Sequence, residues 1–392
     1  MRLHNVRVLN RDGLSLPRTV ELPAIEGDDR DASGLILSPG WMDLHAHLRD
    51  PGFPEKETLV TGTASAAFGG FTHVVAMANT KPLTDTPERL QALVAQAEAL
   101  PVRVSFVGAV TEGLEGRVLT DTRGLKAAGA IALSDDGRHA MDRATLRAAF
   151  EAAADADLPV LIHAQKEELG TGPDAELAAV AEALEALKDV TNARLHLQHL
   201  STRQPIDLLR AAKAQGLPVT AEVTPHHLAL TREDVAPMGP FGNVNPRLRS
   251  EDDREALREA LAERVIDVIA TDHAPHDIAA KAAGANGFHG FETALSVAMG
   301  LGIDPRVLYR ACVERPREII RTGDNSLPLV GRVGEGVGDW ILIDPDLEWV
   351  VDPSSFRSRG KNTPFAGRRV RGRVVMTVCR GQVLFERMMQ RV

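Results

Sequence analysis

Cysteine is scarce in this sequence, long apolar runs are missing, and positive charge is in the minority. Only two cysteines occur among the 392 residues, Cys312 and Cys379, so neither a disulfide framework nor a cysteine-based zinc site is supported. No run approaches the roughly 18 consecutive apolar residues that a membrane span requires, and the first residues lack the apolar core of a secretory signal. The net charge of −9 argues against nucleic acid or an anionic membrane as the main partner. We therefore expect a soluble, cytoplasmic protein that binds any anionic ligand through local cations.

The central part of the chain alternates short apolar or β-branched runs with Ala/Leu/Glu-rich stretches, which is typical of repeated βα units. The runs predicted to be strands are residues 41–47, 72–78, 102–110, 130–136, 159–165, 194–200, 218–224 and 267–273. Eight such units match the usual size of a (β/α)8 barrel, about 250 residues. We therefore predict the α/β class, with a (β/α)8 TIM-type barrel over residues 41–334.

The two ends of the chain have a different pattern, with strand-like segments and few helical stretches. They are residues 2–10 and 19–25 before the barrel, and residues 338–346, 348–352 and 368–387 after it. Because chain termini often lie close together, we predict one small β domain formed from residues 1–40 and 335–392. The alternative is two unrelated β extensions.

Polar residues of the kind that bind metals lie at the carboxyl ends of the predicted strands. They are His45, His47, Asp136, His163, His199 and Asp272. In a barrel of this type the active site lies at the C-terminal face of the strands. These side chains are therefore predicted to converge in space although they are far apart in the sequence.

His45 and His47 are two residues apart on a predicted strand, and the alternation of a strand directs both side chains to one face. A lone pair of this kind also occurs on solvated strands, but four further ligand-type residues at strand ends favour a metal site. Imidazoles together with carboxylates suit zinc, with manganese, cobalt or iron as alternatives. We predict zinc, one or two ions per chain.

Several short strings make the sequence similar to a known family. They are DLHAHLRDPG (43–52), MANTKP (77–82), LSDDG (133–137), EVTPHH (222–227), NVNPRLRS (243–250), ATDHAPH (270–276) and NTPFAG (362–367). Together they resemble the class I dihydroorotases of the amidohydrolase superfamily, and the resemblance spans nearly the whole chain.

The resemblance implies a metal-binding role for the residues at the strand ends. His45 and His47 would bind the more buried metal, and Asp136 would stand where many relatives use a carboxylated lysine to bridge two metals. His163 and His199 would hold the second metal. Asp272 would touch the first metal and carry the proton.

The reaction implied is the reversible hydrolysis of (S)-dihydroorotate to N-carbamoyl-L-aspartate, in de novo pyrimidine biosynthesis. An amide is a poor electrophile, so a metal is expected to activate water as hydroxide at neutral pH. Asp272 would accept the proton of the attacking hydroxide and return it to the departing ring nitrogen.

A carboxylate substrate also needs cations and amides to hold it. Arg49 lies two residues after His47 on the same alternation and can offer a bidentate fork. By resemblance Arg49 and Asn79 hold the α-carboxylate, His276 adds to that contact, and Asn245 touches the ring. The Gly/Ala-rich loop of residues 277–290 has few evident anchors, which indicates a mobile lid.

Two other functions fit parts of the same pattern. Another cyclic amidase, of the allantoinase or dihydropyrimidinase type, would use the same ligands on an uncharged ring. A non-catalytic partner of aspartate transcarbamoylase would typically lack metal ligands, whereas all six are present here. An active enzyme could also dock with that transcarbamoylase, and a homodimer is expected on general grounds.

Overall fold

The structure is a computed structural model and describes residues 1–22, 27, 29–138, 141–320 and 338–387. Within these ranges the chain forms an eight-stranded parallel sheet and a second, mixed sheet made from both chain ends. The same ranges contain no helix with the length and apolar character needed to cross a membrane. Of the predicted domain boundaries, the one at residues 40/41 falls between two observed strands, and the one at 334/335 lies outside the described residues.

The strands, in chain order, are β1 (Arg2–Asn10), β2 (Gly13–Leu14), β3 (Arg18–Glu21), β4 (Arg30–Asp31), β5 (Ile36–Pro39), β6 (Trp41–Ala46), β7 (Phe71–Ala76), β8 (Arg103–Gly108), β9 (Ala130–Leu133), β10 (Val160–His163), β11 (Leu195–Gln198), β12 (Val219–Val223), β13 (Val268–Ile269), β14 (Trp340–Val350), β15 (Arg369–Cys379) and β16 (Gln382–Glu386).

The α-helices are α1 (Leu59–Gly69), α2 (Pro87–Ala97), α3 (Thr122–Ala127), α4 (Arg143–Asp155), α5 (Pro173–Leu187), α6 (Arg203–Ala214), α7 (Pro225–Ala229), α8 (Arg232–Val235), α9 (Glu251–Ala262), α10 (Ile278–Ala282), α11 (Phe291–Gly300), α12 (Pro305–Tyr309) and α13 (Arg315–Ile319). Short 3₁₀ segments cover Glu112–Leu114, Glu167–Leu169, Ala236–Gly242 and Pro353–Ser355, and a π-helical turn covers Arg310–Glu314.

The eight predicted barrel strands correspond to β6–β13, and each pairs in parallel with its neighbour in the chain. The ring is closed between β6 and the end of β13. The His47 amide donates to the His273 carbonyl at 2.8 Å, and the buried Asp43 carboxylate accepts from the Thr271 amide at 2.8 Å and from the Thr271 hydroxyl. The predicted (β/α)8 barrel is thus confirmed.

Two apolar clusters hold the barrel together. The larger one lies between strands and surrounding helices and includes Phe71, Leu90, Phe150 and Leu209. The second cluster takes side chains from six of the barrel strands, among them Leu44, Val75 and Leu161, and these can meet only inside the ring. The interior is therefore packed, which leaves the C-terminal ends of the strands as the place for a site.

Helix starts follow local capping chemistry. Thr58 and Thr61 form a reciprocal capping box at the start of α1, and Ser250 and Asp253 do the same for α9. Each box satisfies backbone N–H groups that the first helical turn leaves without partners.

The predicted small β domain from both chain ends is also confirmed. In its sheet β5 pairs in parallel with β1 and antiparallel with β14, so the N-terminal and C-terminal segments are direct neighbours. The order along the sheet is β16-β15-β14-β5-β1-β2, with β3 and β4 also paired to β1. A separate apolar cluster that includes Leu3, Leu37 and Trp340 forms its core.

The barrel strands that carry polar ends are shorter than predicted. The predicted strand 130–136 ends at Leu133, and the predicted strand 267–273 retains ladder pairing only at Val268–Ile269. The Asp135 carboxylate accepts from the backbone N–H groups of Val110 and Thr111 at 2.8 and 3.1 Å. Side-chain bonds of this kind replace the strand ladder, so the polar residues lie on loops at the rim.

Candidate metal centre and substrate pocket

The six predicted metal ligands come together at the C-terminal ends of the barrel strands, and none is more than 7% exposed. His45 lies on β6 and His163 ends β10. The other four, His47, Asp136, His199 and Asp272, follow the ends of β6, β9, β11 and β13. The topology of the barrel therefore assembles residues separated by more than 200 positions.

Asp136 faces two groups of histidines. His45 Nε2 lies 3.3 Å from Asp136 Oδ1, and His47 Nε2 lies 3.4 Å from Asp136 Oδ2. On the other side His163 Nδ1 and His199 Nε2 lie 3.6 and 3.7 Å from Asp136 Oδ1. Two sets of three potential ligand atoms, each within 4.8 Å of one another, thus share this one carboxylate.

Asp272 completes the first of these groups. Its Oδ1 atom lies 3.0 Å from His47 Nε2 and 3.6 Å from His45 Nε2. Asp272 is therefore within reach of an ion held by the two histidines and Asp136.

The hydrogen bonds of His45 and His47 fit a metal site. His45 Nδ1 donates to Glu222 Oε1 at 2.6 Å, and His47 Nδ1 donates to Asn79 Oδ1 at 3.0 Å. A proton fixed on Nδ1 leaves the Nε2 lone pair free for a metal. His45 Nε2 and Asp136 Oδ1 are both buried without a hydrogen-bond partner, which is the arrangement that a cation between them would satisfy.

The electrostatics of the cluster also fit a cation. Burial raises the pKa of a carboxyl group, but the nearby imidazoles outweigh it and hold the pKa of Asp136 and Asp272 well below the usual value. The pKa of Glu222 falls to about 2 for the same reason. Burial lowers the pKa of His45, but Asp136 and Glu222 outweigh it and raise that pKa well above normal. Three buried carboxylates stay ionised here because positive charge lies between them, and a divalent ion supplies that charge in the same place.

Three residues at the site have a backbone conformation that side chains with a Cβ rarely adopt. The φ angles of Arg49, His199 and Asp272 are 59°, 31° and 44°. Such strain costs about 1–3 kcal/mol per residue and concentrates at functional sites. The backbone at the barrel rim is therefore strained at these three residues, and the strained conformations direct their side chains into one place.

A cavity of about 210 Å³ opens beside the cluster. It is lined by His47, Arg49, Asn79, Asp136, Gly137, His163, His199, Asn245, Asp272, Ala274, Asn286 and Gly287. Its size suits a small ring compound and no macromolecule.

Arg49 forms the cationic side of this cavity, with His276 beside it. Arg49 Nη2 lies 3.3 Å from His276 Nε2, and the half-buried Arg49 guanidinium has no carboxylate partner among the described residues. Burial lowers the pKa of Arg49 to about 10, so the guanidinium remains charged at neutral pH. Burial and Arg49 lower the pKa of His276 to about 3, so this imidazole is neutral, and its one N–H donates from Nε2 to the Asn286 carbonyl at 2.8 Å. One charged donor for an anion thus lies at one end of the cavity.

The two asparagines of the predicted substrate site also touch the metal cluster. Asn79 Nδ2 donates to Asp136 Oδ2 at 3.2 Å, in addition to the His47 contact. Asn79 therefore orients one predicted carboxylate ligand, Asp136, and one predicted histidine ligand, His47. Asn245 Nδ2 lies 3.1 Å from His163 Nε2, and Asn245 Oδ1 has no partner. When His163 binds through Nδ1 its Nε2 carries the proton, and the amide of Asn245 would turn to present Oδ1 to it.

A segment beyond the barrel supports one side of the cavity through bonds to His276 and Gly287. Asn362 Oδ1 accepts from the His276 amide at 2.9 Å, and Asn362 Nδ2 donates to the Gly287 carbonyl at 2.7 Å. Two buried carboxylates on the barrel side hold the segment: Glu57 accepts from the Arg359 amide at 3.3 Å, and Glu292 from the Arg357 amide at 2.6 Å. The position of His276 therefore depends on residues far along the chain.

Sequence reasoning missed Glu222, which is fully buried on β12. Besides His45, it accepts from His196 Nε2 at 3.1 Å and from the His199 amide at 3.2 Å. A carboxylate on the strand between two ligand-bearing strands was the available signal. Glu222 thus fixes the side chain of one predicted metal ligand, His45, and the backbone of another, His199.

Replacing Glu222 with glutamine is expected to weaken metal binding about 10- to 100-fold, because the His45 tautomer and orientation lose their anionic acceptor. Competition with a chelator of known affinity measures this. Glu176→Gln is the matched control, since Glu176 is equally buried but accepts from Ser201 and Thr202. Equal metal affinity in Glu222→Gln and the control would contradict the assignment.

Residues 36–384 match the model of the amidohydrolase family. A dihydroorotase of Anaeromyxobacter dehalogenans (strain 2CP-C) is 42% identical over 385 residues, which covers 91% of this chain and 88% of the relative. A dihydroorotase of Thermus aquaticus is 38% identical over 427 residues, covering 98% and 99%.

Solved structures agree on the architecture. An L-hydantoinase (dihydropyrimidinase) from Arthrobacter aurescens superposes with a TM-score of 0.87 at 25% identity, covering all of this chain and 97% of the other. A dihydropyrimidinase from Brevibacillus agri NCHU1002 has a TM-score of 0.84 at 20% identity, covering 98% and 95%, and shows the shared fold. The two dihydroorotases share more sequence with this chain, at 42% and 38% identity, than the two solved structures, at 25% and 20%. The chain therefore belongs to the amidohydrolase family and, within it, to the dihydroorotases.

Proposed function

We propose that this protein hydrolyses the ring amide of (S)-dihydroorotate to N-carbamoyl-L-aspartate, and catalyses the reverse ring closure. The observation that carries the proposal is one small cavity with a carboxylate-bridged histidine cluster on one side and Arg49 with His276 on the other. This pairs an amide-cleaving centre with an anion site. Because dihydroorotate and N-carbamoyl-L-aspartate belong to pyrimidine biosynthesis, we assign the reaction to that pathway.

We propose zinc as the metal, in one or two positions. His45, His47, Asp136 and Asp272 would hold the first ion, and Asp136, His163 and His199 the second. A divalent ion in this setting supplies Lewis-acid chemistry, because it acidifies water and polarises an amide carbonyl. The mixture of imidazole and carboxylate ligands supports zinc.

Asp272 is the proposed proton carrier. Its carboxylate is ionised at neutral pH and is held next to His47, so it can accept a proton from the attacking water. As the carbonyl carbon gains the water oxygen, the bond from that carbon to the ring nitrogen breaks. Asp272 then returns its proton to the departing nitrogen, which completes the hydrolysis. Ring closure uses the same transfers in the opposite order.

Arg49, Asn79, His276 and Asn245 are the proposed substrate contacts. The Arg49 guanidinium can form a bidentate pair with the carboxylate of the substrate. The His276 imidazole is neutral and lies beside that guanidinium, so it would border the substrate carboxylate without repelling the cation, while its Nε2 proton stays bonded to the Asn286 carbonyl. Asn79 borders the same end of the cavity, and Asn245 faces it from the His163 side.

Ring-opening assays of the wild type and of Arg49→Met test whether dihydroorotate is the substrate. The wild type is expected to open dihydroorotate, and Arg49→Met to lower kcat/KM about 100-fold, because a half-buried cation that would meet the carboxylate is lost. Activity on the uncharged ring of dihydrouracil is measured beside it. Arg317→Met is the control, since Arg317 bonds to the Gly40 and Val313 carbonyls at the opposite end of the barrel.

Two outcomes would redirect the proposal. A wild type that opens dihydrouracil or allantoin faster than dihydroorotate, with no dependence on Arg49, would support the other cyclic amidases instead. A chain that binds metal but opens no ring would support the non-catalytic partner of aspartate transcarbamoylase. Binding to that transcarbamoylase, a homodimer and a cytoplasmic location stay predictions from the sequence.

A further inference from the structure

Lys281 is a buried cation outside the metal cluster, and no step of the proposed reaction uses it. Its side chain is fully buried on α10. Its ammonium donates to the carbonyls of Asn243 at 2.8 Å, Ala285 at 2.9 Å and Gly287 at 3.1 Å. Burying an ammonium is costly unless its donors are all satisfied, and here three carbonyl oxygens satisfy them. The position is therefore built around this cation.

The three carbonyls belong to two segments that line the cavity. Asn243 begins the segment that carries Asn245, and Ala285 and Gly287 flank Asn286. The segments are also joined directly, because the Gly287 amide donates to the Asn243 carbonyl at 3.1 Å and Asn243 Nδ2 donates to the Gly284 carbonyl at 3.2 Å. The Lys281 ammonium lies where the two segments meet.

Each segment leads to a proposed substrate contact. The Asn286 carbonyl accepts from His276 Nε2 at 2.8 Å, and His276 lies beside Arg49. In the other segment Asn245 lies beside His163. The carbonyls bonded to Lys281 thus lie one position from Asn286, at the anion end of the cavity, and two positions from Asn245, at the ring end.

The loop at Gly287 packs closely against Ala274, so its backbone has little room to move. A Cβ atom at Gly287 would lie 2.6 Å from Ala274 Cβ and 2.7 Å from the Ala274 carbonyl, so the loop passes directly against the strand-end segment. The loop of residues 277–290, predicted from its composition to have few anchors, is in fact bonded at several points. The sequence pattern missed these anchors because most of them are backbone carbonyls.

We propose that Lys281 is a positioning residue that sets the distance between the His276/Arg49 end and the Asn245 side of the cavity, and so determines affinity for the ring carboxylate substrate. This inference rests on the proposed function for the identity of the substrate. Neither Asp136 nor Asp272 receives a bond from the Lys281 ammonium, which donates to three backbone carbonyls. The effect therefore falls on KM and leaves kcat largely unchanged.

Lys281→Met tests this, because methionine keeps a long apolar stem and removes the donors. KM for dihydroorotate is expected to rise about tenfold, with kcat within about twofold and unchanged zinc content. Titration calorimetry with orotate, which carries the same carboxylate on an unsaturated ring, is expected to show the same loss of affinity. Backbone amide exchange over residues 243–246 and 284–289 is expected to accelerate.

Lys213→Met is the matched control. Lys213 donates to the Val265 carbonyl and the Asp267 carboxylate at the opposite end of the barrel, so its loss removes a partly buried ammonium without touching the cavity. It is expected to lower stability and to leave KM and the exchange of both segments as in the wild type. A KM rise of the same size in Lys213→Met would overturn the proposal.

Lys281→Arg serves if the methionine variant does not fold. Arginine keeps the charge, but its planar fork cannot direct one nitrogen at three converging carbonyls, so KM is again expected to rise. Wild-type KM and unchanged exchange in either folded variant would overturn the proposal. A wild type that does not open dihydroorotate would count against the proposed function alone, and amide exchange would still decide the role of Lys281.

Discussion

Asp272→Asn is expected to lower kcat for dihydroorotate about 10²- to 10⁴-fold, the range that general acid–base catalysis supplies. Asparagine has the same shape and keeps an oxygen next to His47, but it cannot take a proton from water and return it to the ring nitrogen. Steady-state kinetics in both reaction directions measure the effect. Because one group carries the proton both ways, hydrolysis and ring closure are expected to fall together.

The size of this loss must be separated from loss of metal, since Asp272 also lies beside the first ligand group. Metal content and orotate affinity are therefore measured on the same preparations, and both are expected to stay within about threefold of the wild type. Asp267→Asn is the control, a buried carboxylate that pairs with Lys213 and Arg315 at the other end of the barrel. Wild-type kcat in Asp272→Asn would remove this residue from the mechanism.

Asp136→Ala is expected to abolish binding at the second metal position, to weaken it at the first, and to lower activity about 10³-fold or more, because several kcal/mol of transition-state stabilisation disappear with the metal. Without this carboxylate the second position keeps only His163 and His199, and the first keeps His45, His47 and Asp272. Metal analysis after dialysis, and activity after chelation and zinc addition, measure the two effects. Zinc is expected to restore the chelated wild type and to leave the variant inactive.

Asp135→Asn is the matched control for this experiment. Asp135 is the adjacent residue and is also buried, but its carboxylate accepts from Val110 and Thr111. It is expected to lower stability and keep the metal. The reverse result, metal lost with Asp135 and kept without Asp136, would show that the wrong aspartate of the pair has been assigned.

The barrel and the cluster could be predicted because polar residues at the ends of apolar strands stand out against their surroundings. His45, His163 and Asp272 each end or follow a run that is otherwise apolar. Parallel strands place their carboxyl ends on one face, so the order of the chain alone brought these residues together. The strand-like segments at the two chain ends likewise predicted the second sheet.

Glu222 and Lys281 could not be predicted in the same way, because their roles depend on long-range geometry. Glu222 occupies a polar position of an alternating strand, a pattern that equally fits a residue facing solvent. Lys281 lies in a Gly/Ala-rich stretch and binds carbonyl oxygens, which every residue has and which leave no mark in a sequence. The ends of β9 and β13 were missed for a similar reason, since side-chain bonds replaced the ladder there.

The hydrogen bond from the His276 amide to Asn362 has a consequence for the order in which the site is completed during synthesis. Asp272, the last of the six proposed ligands, leaves the ribosome about 90 residues before Asn362. At about 5–20 residues per second that interval lasts several seconds. During it the nascent chain holds all its metal ligands while His276 lacks the asparagine that fixes it. The set of six proposed metal ligands is therefore complete in the growing chain several seconds before the anion end of the site has its asparagine.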